Sequence, residues 1–125
     1  MTEIEIDRKM AEKVMGWTVA ANVYDEGGSG LWLYNGKLSG ETVVKKFADF
    51  KPSINITHTF EVVKKMREKG FFLILNDTGC QYRCAFSSHE NKAWEIFINK
   101  PPNDLYVWEA TPQLAICLAA LEAVK

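Results

Sequence analysis

The chain has 125 residues, with 15 basic against 16 acidic side chains and a hydrophobic fraction of 47%. That is the length of one ordinary domain, which buries roughly two thirds of its unfolded surface and needs neither disulfides nor metal to hold a core. A net charge of −1 with 25% charged and 12% aromatic residues excludes a disordered or low-complexity chain and argues against broad nucleic-acid binding, which calls for a basic surplus. No apolar run approaches the about 18 residues of a membrane span, and the acidic, mixed opening MTEIEIDRKM does not read as a signal peptide.

Thr2 followed by Glu5 is a capping-box pattern, and Ile6, Met10 and Val14 repeat every four residues, so the spacing predicts a helix that stops at Gly16. Trp17 to Tyr24 alternates as a strand, Asp25 to Gly30 is a flexible turn, and Leu31 to Tyr34 returns. Asn35-Gly36 is a tight-turn signal. Residues 37 to 51 are ambiguous, since Val43, Val44, Phe47 and Phe50 fit a short helix or an irregular segment. Asn55 is the expected N-cap of a second helix with the apolar stripe Ile56, Phe60, Val63 and Met66. Lys64, Lys65, Arg67 and Lys69 suit its C-terminal dipole and Gly70 ends it.

Phe71 to Leu75 and Cys80 to Phe86 are strands joined by an Asn76-Asp77-Thr78-Gly79 turn. Ser87 to Lys92 is a second polar turn, followed by strands at Ala93 to Ile98 and Leu105 to Glu109 separated by the Pro101 to Asp104 turn. Thr111-Pro112 opens a last helix, whose buried stripe is expected to be Leu114, Cys117, Leu118 and Leu121. Short links force antiparallel pairing. The expected fold class is α+β, an antiparallel sheet packed with helices, in a single domain over residues 1–125.

Three segments carry a family resemblance: AEKVMGW (11–17), FKPSIN with FEVVKKMREKGF (50–71), and ATPQLAICLAALEAV (110–124). In order and spacing they resemble the conserved blocks of the phage ABA-sandwich domain family, small proteins of bacteriophages and prophages. Pro52-Ser53-Ile54-Asn55 departs from the Pro-Ser-Thr-Asp usual there, although Asn55 still caps. The resemblance implies an alpha-beta-alpha sandwich, a phage or prophage origin, a host bacterial cytoplasm and an accessory role against bacterial defences. Its matched blocks read as structural, so it points to no site.

The chemistry must be read from the residues. Cys80, Cys84 and Cys117 are odd in number, which suits a reducing compartment. On one strand Cys80 and Cys84 would lie roughly 13 Å apart, too far for a disulfide, and neither histidine completes a zinc pattern. Cys117 reads as packing. Ser87-Ser88-His89-Glu90 gathers hydroxyl, imidazole and carboxylate, yet neighbours on a tight turn do not aim at one another, and a solvated turn is expected. Asp25 to Gly30 lacks the lysine of a phosphate-binding loop. The lysine-rich end of the second helix is offset by Glu61 and Glu68 and reads as a solvated face.

What remains is a set of strand aromatics, Trp32, Tyr34, Tyr82, Phe86, Trp94, Tyr106 and Trp108, some of which must face away from the helices. Arg83, Asn91, Lys92 and Trp94 are the ligand-binding candidates, because aromatic walls with a cation and an amide stack a base and hold phosphate. The expectation is a non-enzymatic protein, without cofactor, that sequesters a small nucleotide-type host immune signal. The alternative is inhibition of a host protein by direct contact. Exposed aromatics favour a homo-oligomer.

Overall fold

In the computed structural model, which describes residues 1–21, 31–35, 42–88 and 106–124, Thr2 and Glu5 form the expected reciprocal cap of helix α1, Glu3–Lys9. The helix does not simply continue to Gly16. Met10–Val14 is a π-helical turn, closed by the Met15 amide donating to the Met10 carbonyl at 3.0 Å. Ile6, Met10 and Val14 are buried as the spacing predicts, with Asp7 and Ala11 beside them. Gly16 ends the element at φ 74°, a conformation that favours glycine.

Strands β1 (Trp17–Ala21), β2 (Leu31–Asn35) and β3 (Thr42–Lys46) form one antiparallel sheet in that order. The segment left ambiguous by the sequence is therefore a strand, followed by a 3-10 turn at Phe47–Asp49. Its alternation is hidden because β3 is an edge strand among the described residues, with both Val43 and Val44 exposed, and because the pairing of β2 with β3 shifts register between Leu33 and Tyr34. Asn35 is the last residue of β2, whereas Gly36 of the expected turn and residues 22–24 of the expected strand lie outside the described residues.

Helix α2, Ile56–Glu68, is capped by the Asn55 carboxamide, which accepts from the Thr57 and His58 amides. Its buried face is Thr59, Val62, Val63 and Met66. The stripe read from the sequence needs correcting, since Ile56 is 43% and Phe60 55% exposed. Thr59 takes the inward position because its hydroxyl donates to the Pro52 carbonyl at 2.7 Å, which satisfies a buried polar group that the apolar count ignored. Phe60→Gln is accordingly expected to change stability by no more than about 0.5 kcal/mol. A loss of several kcal/mol in urea denaturation would restore the original stripe.

A second antiparallel sheet contains β4 (Phe71–Asp77), β5 (Tyr82–Ser88) and β6 (Val107–Glu109), with β5 in the middle. The β4–β5 turn is shifted from the expected Asn76 to Gly79: Asn76 and Asp77 are the last paired residues of β4, opposite Arg83 and Tyr82, and Gly79 turns the chain at φ 89° with its amide donating to the Asp77 carboxylate. Two further expectations fail here. Cys80 lies in the turn and is exposed rather than on the strand, and β5 runs on through Ser87 and Ser88, which were assigned to the next turn. Tyr106 also falls just before its strand. The strand expected at 93–98 and the turn at 101–104 lie outside the described residues.

The last helix, α3 (Pro112–Ala123), has Thr111 as N-cap and proline in its first turn. It packs across β5 and β6, and against α2, α1 and the π turn. The buried residues are Ala115, Ile116, Cys117, Ala119 and Ala120, whereas Leu114, Leu118 and Leu121 are only partly covered. An almost wholly apolar helix has no informative periodicity, and its small alanines select the face that comes closest to a sheet. Buried residues from α1, the π turn, β2, α2, β5 and α3 join in one hydrophobic cluster. The α+β expectation thus holds, with the strands divided between two sheets. Among the described residues no helix is long and apolar enough to cross a membrane.

Candidate functional site

Alternation along β5 sends Cys84 into the core beneath α3 and Arg83 to the other face of the sheet. Because β5 is central, Arg83 has a cross-strand neighbour on each side, Asn76 of β4 and Trp108 of β6. With the Asn76 amide oriented by its surroundings, its Oδ1 accepts from Arg83 Nη2 at 2.8 Å and Nε at 2.9 Å, and its Nδ2 donates to the Leu75 carbonyl at 3.1 Å. The guanidinium carbon lies 4.9 Å from the Tyr106 ring centre and 5.9 Å from that of Trp108. Each such contact stabilises the cation by about 0.5–2 kcal/mol, more as water is excluded.

The consequence is a fixed arginine. Two N–H groups are held by a neutral amide and the plane is framed by two rings, while the remaining N–H groups make no ion pair among the described residues and are of the kind that an anion engages. Among the described residues no carboxylate forms an ion pair with it. Tyr106 is 6% exposed and its buried hydroxyl has no partner among the described residues. Trp108 is 37% exposed and offers a ring face. Chemically, the group can pair with phosphate or carboxylate and stack a planar ring.

Of the residues singled out from the sequence, Arg83 stands at the centre of this cluster, whereas Asn91, Lys92 and Trp94 lie outside the described residues. Asn76 was missed because it read as turn chemistry. Tyr106 and Trp108 were visible as strand aromatics, but nothing in the sequence aligned them with Arg83.

The other candidates are occupied structurally. His58 Nδ1 accepts from the Lys51 amide at 2.9 Å and its ring stacks on Phe50 at 6.1 Å. Burial pushes the Cys84 thiol up to about 12 and the Cys117 thiol higher still, so neither is a ready thiolate nucleophile near neutrality. Ser87 is buried on β5, not displayed on a solvated turn, and His89 and Glu90 lie outside the described residues. Lys45 pairs with Glu61 at 3.4 Å and Lys65 with Glu68 at 3.5 Å, in keeping with a compensated, solvated face. Among the described residues no three potential metal ligands come together.

Comparison with known proteins adds one firm result. A family model described as the phage ABA sandwich domain matches residues 8–121. No curated protein and no solved structure gives a match. The matched span runs from α1 to the last turn of α3 and includes both sheets and the Arg83 cluster, so the chain belongs to the phage ABA sandwich domain family.

Proposed function

We propose that this phage-family domain is a non-catalytic binder of a small nucleotide-type anion, taking up a host immune signal in the bacterial cytoplasm and withholding it from its receptor. The observation that carries this reading is the Arg83 guanidinium held by Asn76, framed by Tyr106 and Trp108, and without a carboxylate partner among the described residues. Phosphate pairs with the guanidinium edge that Asn76 does not hold, and the exposed ring of Trp108 stacks a base. Asn91, Lys92 and Trp94 join the same proposal on sequence grounds alone. No nucleophile–base pair is needed, because sequestration ends at binding.

The test is thermal melting against linear and cyclic nucleotides and ADP-ribose derivatives. A true ligand at a hundred times its dissociation constant adds about 2.7 kcal/mol, a shift of several degrees. Arg83→Ala is expected to abolish the shift, and Arg83→Lys to weaken it severely because the two-point grip of Asn76 is lost. Ligand recovered chemically altered would make the protein an enzyme instead.

A second reading rests on the same residues. Arginine, tryptophan and tyrosine are the side chains that anchor protein interfaces, and Trp108 is available for contact. Direct inhibition of a host protein, or homo-oligomerisation through this face, predicts no nucleotide-dependent shift. It predicts instead a co-purifying host polypeptide, or a larger assembly that Trp108→Ala dissociates.

A further inference from the structure

We propose that a second site, between α1, β6 and α3, binds a small amphiphilic anion, specifically a free medium-chain acyl carboxylate. A cavity of about 670 Å³ opens there, lined by the apolar side chains of Met1, Val107, Leu118, Leu121 and Val124 together with Lys9 and Lys13. This is within the size range of small-molecule sites, roughly 300–1,000 Å³. The cavity also accounts for the behaviour of α3. Leu118 and Leu121 are only partly covered because they wall this opening, while the alanine face of the same helix fills the core.

The charge pattern selects the head group. Lys9 and Lys13 are four residues apart across the start of the π turn, both are exposed, and neither forms an ion pair among the described residues. Arg8 and Glu12, on the adjacent face, neutralise each other at 2.9 Å. Glu122 also lines the cavity, so its charged side chains are two lysines against one glutamate, a surplus of one positive side chain that one carboxylate matches. An acyl chain then replaces water on the leucine and valine walls. The site is separate from the Arg83 cluster: Val107 pairs with Cys84 on the core side of the sheet, while Arg83 and Trp108 occupy the opposite side.

Calorimetric titration of the full chain with hexanoate, octanoate and decanoate tests the assignment. Each buried methylene strengthens binding about fourfold, so decanoate should bind roughly tenfold or more tightly than octanoate, one molecule per chain. The double variant Lys9→Gln/Lys13→Gln should weaken decanoate about tenfold and leave decanol unchanged. Leu121→Trp, which fills the cavity, should abolish binding with circular dichroism unaltered. Should that variant fail to fold, the lysine pair on the exposed surface still decides. Decanol binding as tightly as decanoate, absence of chain-length dependence, or indifference to the lysine variants overturns the proposal. So does preferential association with phosphatidylglycerol vesicles, which would make this a membrane-facing surface. Arg83→Ala leaves decanoate binding intact in either case, so the two sites fail independently.

Discussion

Replacing Phe50 by alanine is expected to cost about 3–5 kcal/mol of folding stability, lowering the melting temperature by about 10 °C or more. Phe50 is 0% exposed and lies in the short link between β3 and α2. Its ring meets Trp17 edge to face at 5.1 Å and His58 nearly parallel at 6.1 Å, with the Lys45 ammonium 5.5 Å from its centre. One side chain therefore ties β1, β3 and α2 together, and truncation removes both its buried area and the aromatic geometry, which is worth about 0.5–1.5 kcal/mol per pair. Phe50→Leu retains most of the volume and should cost only about 1.5 kcal/mol. Urea denaturation with an unchanged m-value is the measurement. A loss below about 1 kcal/mol for the alanine variant would mean that the first sheet is not anchored through this ring.

Local signals were legible because they depend on neighbours in sequence. Thr2, Asn55 and Thr111 cap their helices as read, and Gly16, Gly70 and Gly79 adopt the positive φ that ends helices or closes turns. Facing was not legible, because it depends on what packs opposite. On α2 a threonine with a satisfied hydroxyl displaces two apolar residues from the core side, and on α3 alanines win over leucines because they allow closer approach. β3 escaped notice since an exposed edge strand has no reason to alternate. The same limit applies to the candidate site. Sequence alternation assigns Arg83 to the face opposite Cys84, but the row Asn76–Arg83–Trp108 is a consequence of two registers across β5, and register is set by pairing that no local pattern encodes.

Asp7 is the clearest case of a residue whose role only packing reveals, and its replacement is the second large effect expected. It is 5% exposed, and its Oδ1 accepts from the buried Ser53 amide at 2.9 Å, linking α1 to the turn before α2. Burial pushes its carboxyl above the ordinary 3.8 and Glu3 pushes the same way, against the opposing pull of Ser53 and of the Lys51 charge. A raised folded-state value means that the native state holds the proton more tightly than the unfolded chain does. Stability contributed by this group is therefore lowest where the carboxylate is ionised and is regained as pH falls from the raised value toward 3.8. Asp7→Ala orphans the Ser53 amide and should cost about 1–3 kcal/mol across the pH range. Asp7→Asn keeps an oxygen acceptor without the buried charge, so it should equal or exceed the parent near neutrality and lose that advantage on acidification. Denaturation curves at about pH 7 and about pH 4.5 separate these outcomes. If Asp7→Asn instead falls with Asp7→Ala at neutral pH, the ionised carboxylate itself holds the Ser53 turn, and the charge, not the acceptor, is what the fold requires.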